Sequence, residues 1–247
     1  MEGAFVMMAQ LLWFVIGAAA GSTANAVIDR LPRHESWFRG RSHCDKCGHV
    51  LGLLDLIPLL SYLVLGGKCR YCRKKIANRN FGVELLLGLS FMVIGGHLLS
   101  LIVWVTVVIA VMDWETRLVS EFLVLVWGIL VIADKFLISN YLVDLNSLLG
   151  LAVGVGVIGG LWALSRGRAM GFGDVEIAAV MGWWLGWPKI GVALWAAFVA
   201  GAIMGVIKLI KRLSRLKSEI AFGPFLILGT WAAYLWGSMI WKWVFRF

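Results

Sequence analysis

Leu98-Leu99-Ser100-Leu101-Ile102-Val103-Trp104-Val105-Thr106-Val107-Val108-Ile109-Ala110-Val111-Met112-Asp113 is an apolar run that ends on a carboxylate. A helix crossing a bilayer core needs about 20 apolar residues, so alone this stretch is a short span. It has company. Comparable runs recur at approximately 4–22, 81–97, 118–134, 142–164, 174–188, 190–210 and 223–241. Between the second run and this one, Gly95, Gly96 and His97 mark either a tight hairpin or an interruption in one long helix.

Composition agrees with repeated spans. Of 247 residues, 61% are hydrophobic and 15% charged, with mean hydropathy +0.87, which excludes an ordinary water-soluble domain. The fold class expected is an all-α polytopic membrane protein of about eight transmembrane helices with a small cysteine-rich cytoplasmic insertion that binds zinc. Its divisions are a first transmembrane helix over 1–28, the insertion over 29–80 and a multi-helix membrane domain over 81–247. Met1-Glu2-Gly3 has no positive n-region, so the first span is expected to be retained.

Charge orients the spans, because Lys and Arg accumulate in cytoplasmic loops. Eleven of the 23 basic residues lie between Arg30 and Arg79. Lys208, Lys211, Arg212, Arg215 and Lys217, with Arg117, Arg166 and Arg168, fall on the same side of eight alternating spans. Only Lys135, Lys189, Lys242 and Arg246 fall on the other, which places both termini outside the cytoplasm. The net charge of +9 thus reports topology and adhesion to anionic lipid, and no nucleic-acid partner is expected.

All four cysteines fall in the insertion, as Cys44-x2-Cys47 and Cys69-x2-Cys72 separated by 21 residues. Thiolate pairs at this spacing each grip one side of a tetrahedral ion, so Cys44, Cys47, Cys69 and Cys72 are read as a closed structural zinc site. Two disulfides or four unconnected thiols are the competing readings, the first disfavoured on a reducing cytoplasmic face. His43 and His49 flank the first knuckle as solvated bystanders. A metal with four thiolates has no place for water, so chemistry is sought elsewhere.

Two aspartates are the candidates. Asp113 closes the run quoted above, and Asp174 opens another after Gly171-Phe172-Gly173. Alternating topology brings both to the cytoplasmic side. Neighbouring carboxyls share a proton, supplying a general base for water and a general acid for a leaving amine. Gly171 and Gly173 are expected to allow unusual backbone angles and close approach of an extended substrate. Helix capping is the plain alternative for either aspartate alone. Glu115 and Glu121 are read as solvated, Glu176 as near enough to tune Asp174, and Glu84 as a structural partner of Arg79 or Arg73.

These residues resemble the bacterial type IV prepilin peptidase family, the prepilin leader peptidase/N-methyltransferases among the GxGD aspartic proteases. The resemblance runs through Gly21-Ser22, Asn25-Ala26-Val27-Ile28-Asp29-Arg30-Leu31-Pro32, Arg41-Ser42-His43-Cys44 and Asp55-Leu56-Ile57-Pro58-Leu59-Leu60-Ser61-Tyr62. It continues with Gly67-Lys68-Cys69-Arg70-Tyr71-Cys72, Val83-Glu84-Leu85-Leu86, Gly167-Arg168-Ala169-Met170-Gly171-Phe172-Gly173-Asp174 and Phe222-Gly223-Pro224-Phe225. It implies that Asp113 and Asp174 are the catalytic pair, with Gly171, Gly173 and Asp174 as the GxGD box. It also implies cleavage of the short basic leader from type IV prepilins or pseudopilins at the cytoplasmic face of the bacterial inner membrane. Methylation of the new amino terminus from S-adenosylmethionine, associated with the cysteine-containing region, is implied as well, with no residues assigned to the donor. The chain departs from the family pattern at Glu176, where Lys is usual, and at Ser120-Glu121, where Pro-Asp or Pro-Asn is common.

Gly154-Val155-Gly156-Val157-Ile158-Gly159 spells a nucleotide fingerprint but lies in a span with no preceding strand, so it is rejected as a nucleotide site. Gly150, Gly154, Gly201 and Gly205 are read as small residues that permit close helix packing. The 14 tryptophans are read as interfacial anchors and packing mass. Two other classes compete. A transporter with intramembrane carboxylates predicts midplane acids and inverted repeats, and a noncatalytic zinc-stabilised assembly factor would tolerate loss of either aspartate.

Overall fold

The computed structural model describes residues 2–37, 40–139, 143–168, 170–211 and 221–244. Arg39, Leu142, Ala169, Arg212, Arg215, Lys217 and Arg246, which enter the span, charge and motif readings, lie outside the described residues. Among the described residues the regular structure is helical. The elements are α1 (Glu2–Arg30), α2 (Leu60–Val64), α3 (Asn78–Ile94), α4 (Leu98–Thr116), α5 (Glu121–Ser139), α6 (Leu145–Ser165), α7 (Phe172–Leu185), α8 (Lys189–Ile210) and α9 (Gly223–Val244). Among the described residues, strand-like pairing is confined to single bridges at His43–Val50 and Lys68–Lys75.

Eight of these helices stand where the eight apolar runs were predicted, α2 being a short turn inside the cysteine segment. Among the described residues, four stretches are long and apolar enough to cross a membrane: Gly3–Arg33, Leu98–Thr116, Leu145–Ser165 and Lys189–Ile210. The outward surfaces of the helices, these four and others, are apolar. Leu12, Val93, Leu164 and Trp243 are among many large hydrophobic side chains left exposed, an arrangement that water penalises and lipid does not. The protein is a membrane protein. All four prolines sit in turns or at helix starts, where a missing N–H interrupts no helical ladder.

The chain forms two compact units, residues 1–108 and 109–247, with α4 contributing its first part to one and its last to the other. In the first, α1 and α3 pack antiparallel and very closely. Added Cβ atoms would meet Leu87 O and the Phe91 ring at Gly17, and Glu84 Cα at Gly21, so this Gly-x3-Gly pair lets the backbones touch. Trp13 lies against Gly96, and Trp104 on α4 donates to Ala20 O at 2.8 Å, so α4 runs alongside α1 and opposite to α3. The break at Gly95–His97 is therefore a hairpin, and Gly95 turns it with φ +77°.

In the second unit α7 packs against α5, α6, α8 and α9 and carries the buried residues Ile177, Ala178, Met181 and Trp184. Gly150 on α6 faces the Gly182 carbonyl and Gly154 faces that of Ala178, which bears out the small-residue reading at both. Gly201 differs. It lies beside the Phe222 and Phe225 rings, so an aromatic contact and not a helix backbone sets its size. The Gly154–Gly159 fingerprint is wholly inside α6, with open space at Gly156, consistent with its rejection as a phosphate loop.

Candidate functional site

Asp113 and Asp174 line one cavity of about 290 Å³ in the second unit, although 61 positions separate them in sequence. Both are buried, and both line this same cavity. Asp113 is in the last turn and a half of α4, which stops where Arg117 turns left-handed. Its Oδ2 accepts the Gly223 N–H at 3.0 Å. Gly223 begins α9, so Asp113 also sits at the positive end of that helix. Asp174 is the third residue of α7 and its Oδ2 accepts the Gly171 N–H at 3.2 Å, closing a capping arrangement. Capping and a place in the cavity coexist in this residue.

The glycine pair works differently from the sequence expectation. Neither glycine has a positive φ, so no unusual backbone angle is used. Gly173 is small because a Cβ there would stand 2.5 Å from Val119 Cβ, whereas Gly171 meets nothing closer than 4.0 Å and leaves space beside Asp174. Gly223, in the sequence no more than one residue of a Phe-Gly-Pro-Phe motif, would carry its Cβ 2.7 Å from Asp113 Oδ2. Its signal was a Gly-Pro pair at the start of an apolar run. Arg117 and Arg168 also line the cavity and place cations beside two acids.

Other acids sort themselves by helix geometry. Residues two apart on a helix point in different directions, and Glu176 is not among the residues lining the cavity that Asp113 and Asp174 share, so the expected neighbourhood with Asp174 is not seen. Glu115 and Glu121 are exposed. Asp134 carries no signal in the sequence beyond its place at the end of an apolar run. It is buried on α5 and accepts the Trp184 indole N–H at 3.4 Å, within an aromatic group that includes Trp127, Trp231 and Tyr234.

In the first unit, the four cysteine sulfurs lie within 4.8 Å of one another, and Cys44 Sγ is 3.9 Å from Cys72 Sγ. A tetrahedron with metal–sulfur bonds of about 2.3 Å has edges of about 3.8 Å, so the four thiols fit zinc, and none of them is in a disulfide. The two knuckles repeat each other. Cys44 N–H donates to His49 O and Gly48 N–H to Cys44 O, while Cys69 N–H donates to Lys74 O and Arg73 N–H to Cys69 O. The backbone N–H groups of Cys72 and Tyr71 point at the Cys69 sulfur and pull its thiol down to about 7, favouring the thiolate a metal needs. His43 and His49 stay outside the cluster, and His49 packs against the Tyr71 ring at 3.6 Å.

Between the knuckles, Asp55 accepts from Arg70 Nε at 2.6 Å, Gly52 N–H at 3.1 Å and Tyr71 OH at 3.3 Å. Desolvation opposes its charge, but these donors and the Arg70 charge outweigh it and hold the carboxyl below its usual value. Glu84 has the structural role expected of it with a different partner. It accepts the Leu59 N–H at 2.8 Å, steadying Leu59 at φ +62°, while Arg79 pairs with Asp29 at 2.8 and 2.9 Å.

The model of the bacterial peptidase A24 N-terminal domain matches residues 15–98, and that of the type IV leader peptidase family matches residues 100–206. A prepilin leader peptidase/N-methyltransferase of Aeromonas salmonicida is 32% identical over 94% of this chain and 92% of its own length. The chain belongs to the type IV leader peptidase family. Proteins with the same description from Aeromonas hydrophila and Pseudomonas aeruginosa are 32% and 31% identical over 94% and 93% of this chain and 92% and 91% of their own lengths. No solved structure gives a significant match. Membership makes the chain a peptidase, and the boundary between the two family models falls in the α3–α4 hairpin region.

Proposed function

We propose that this protein is a membrane aspartic endopeptidase that removes the short basic leader from type IV prepilins or pseudopilins, with Asp113 and Asp174 as the catalytic pair. The observation that carries this is the meeting of two buried carboxylates from α4 and α7 in one cavity. One carboxylate takes a proton from water as its oxygen attacks the scissile carbonyl. The other carboxyl gives its proton to the departing amine as the carbon–nitrogen bond breaks. Gly171 leaves room beside Asp174 for an extended backbone, and Gly223 holds Asp113 in place. The names of the relatives support prepilins as substrates.

The same names support methylation of the new amino terminus with S-adenosylmethionine as donor. The amine nitrogen gains a methyl and loses a proton, and the donor's sulfonium becomes a neutral thioether. Cys44, Cys47, Cys69 and Cys72 would hold a structural zinc, its four thiolates leaving no open position. The basic residues of the cysteine segment and of the loops after α4 and α6 favour placing both the module and the aspartates on the cytoplasmic side of the bacterial inner membrane. The remaining helices complete eight spans on this reading, with 1–28 as first span, 29–80 as the zinc module and 81–247 as the peptidase domain. Family membership leaves the transporter and assembly-factor readings without a supporting observation.

The test is to incubate the purified protein with a leader-bearing prepilin, comparing parent, Asp113→Asn and Asp174→Asn. Parent-level cleavage by either variant overturns the pair. Mass spectrometry of the processed pilin, with donor supplied, shows one added methyl mass if the second activity is present.

A further inference from the structure

The stretch between the two knuckles carries an apolar surface of its own. Leu53, Leu54, Ile57, Leu60, Leu63 and Val64 are all exposed, Leu53 by 88% and Val64 by 80%. None of them belongs to a span, since Leu53–Leu56 is a single 3-10 turn and α2 has five residues. Leu60, Leu63 and Val64 stand at i, i+3 and i+4, one face of α2, while Tyr62 packs against the Phe81 ring with centroids 5.2 Å apart. Water disfavours six large aliphatic side chains left open within twelve residues.

Depth and charge say what covers this surface. Leu59, just before α2, donates its N–H to Glu84 Oε2 at 2.8 Å. Glu84 is six residues past Asn78, the start of α3, and stands against Gly21, nine residues before α1 ends at Arg30. At 1.5 Å per residue its backbone lies about 9 Å from the start of α3 and about 14 Å from the end of α1. A headgroup layer is about 5 to 8 Å thick, so α2 begins alongside the helices and not beyond their ends. From Leu56 to Val83 the chain has six cations, Lys68, Arg70, Arg73, Lys74, Lys75 and Arg79, and no acid. Lys68, Arg73, Lys74 and Lys75 are exposed on the second knuckle. That knuckle is joined to the end of α2, Lys68 N–H donating to Leu65 O and Ile76 N–H to Gly67 O.

We propose that residues 53–64 dock into the headgroup–acyl boundary of the bilayer at the Arg30 end of α1, with Lys68, Arg73, Lys74 and Lys75 on anionic lipid headgroups. Apolar side chains beside exposed cations are what an anionic membrane interface binds. A turn this short would hold weakly as a free peptide. Here α1 and α3 tether it at both ends, so docking is an intramolecular step and weak contacts suffice. The cysteine segment is then held against the membrane and is not free in water. The inference needs only the membrane placement of α1 and neither enzymatic activity.

The experiment places the photoreactive p-benzoylphenylalanine at Leu63 or at Val64 of the full-length, zinc-loaded chain in vesicles of phosphatidylethanolamine and phosphatidylglycerol. Asp45, exposed on the first knuckle, is the reference position. After irradiation, mass spectrometry finds a phospholipid adduct at 63 and 64 several-fold above that at 45. Exchanging phosphatidylglycerol for phosphatidylcholine lowers the yield several-fold, and Lys74→Gln with Lys75→Gln removes that dependence. Zinc content reports the folding of each variant. Hydrogen exchange of the unsubstituted chain, slower at 53–64 in anionic than in neutral vesicles, makes the same test without a label. A yield at 63 and 64 no higher than at 45, or adducts to a second copy of the chain or to added prepilin in place of lipid, overturns the docking. A lipid adduct indifferent to lipid charge overturns the part given to the basic residues.

Discussion

The cysteine module and the aspartate cavity are built on opposite plans. The four thiols come from 29 consecutive positions, and each knuckle closes on itself through hydrogen bonds that span five residues or fewer. The cavity gathers Asp113 and Val119 from the end of α4 and its following loop, Gly171 to Asp174 from the start of α7 and Gly223 from α9, so it exists only after three distant segments have packed. A local site declares itself by spacing. A dispersed site declares only its members, and leaves the groups that hold them unmarked.

The two plans predict different failures. Asp174→Asn is expected to lower prepilin cleavage on the order of a thousandfold or more, with melting temperature nearly unchanged, because the isosteric amide retains an oxygen for the Gly171 N–H. Cys72→Ser is expected to abolish stoichiometric zinc, measured by elemental analysis, and to open the 40–76 segment to proteolysis, because a tetrahedral site that loses a thiolate loses its closure. Equal zinc content in Cys72→Ser and parent would break the comparison, since the module would then be held by something other than its metal.

Gly223→Ala tests the dispersed site through a residue that does no chemistry. Its Cβ would stand 2.7 Å from Asp113 Oδ2 and 3.3 Å from Ile177 Cδ1, so the carboxylate must move or the start of α9 must shift. A displacement of about 1 Å at a reacting group costs on the order of a hundredfold in rate. The effect should appear in kcat more than in KM, and a parent-level kcat would show that the Gly223 contact does not position Asp113.

This division explains what the amino-acid sequence made legible. The Cys-x2-Cys pairs, the apolar runs and the two aspartates are each visible as composition or spacing. The choice between hairpin and continuous helix at Gly95–His97 was not, because it depends on Trp13 and Trp104 from other parts of the chain. Glu84 looked like a partner for a nearby arginine, yet Arg79 is taken by Asp29, fifty positions away, and Glu84 turns to Leu59. Glu176 looked like a neighbour of Asp174 in sequence, and helical rotation separated them. Asp134 was hidden by its position at a run's end, since only the fold brings Trp184 to it. In each case the missing information was a long-range contact.

A smaller effect tests how the two knuckles are joined. Asp55 is held below its reference value of 3.8 by Gly52, Arg70 and Tyr71. A carboxyl with a depressed folded-state pKa contributes stability that is fully present above the unfolded value and fades as pH falls through the folded one. Asp55→Asn should therefore reduce hydrogen-exchange protection across residues 52–72 at pH 6, and the gap from parent should close below about pH 4. A gap that is constant with pH would show that the carboxylate charge contributes nothing to the link.

The smallest prediction uses the internal repeat. Gly48 and Arg73 occupy equivalent positions in the two knuckles, one residue after the second cysteine, and both are left-handed, at φ +69° and +56°. Glycine adopts this conformation without penalty, whereas an L side chain costs about 1 kcal/mol or slightly more. Arg73→Gly should thus stabilise the second knuckle by about 1 kcal/mol, less the entropy that glycine adds to the unfolded chain. The reverse change, Gly48→Arg, should destabilise the first by a similar amount. Zinc retention against a competing chelator measures both. If the paired changes shift retention in the same direction, the knuckles are not equivalent and the left-handed turn at Arg73 is maintained by contacts that the arginine itself makes.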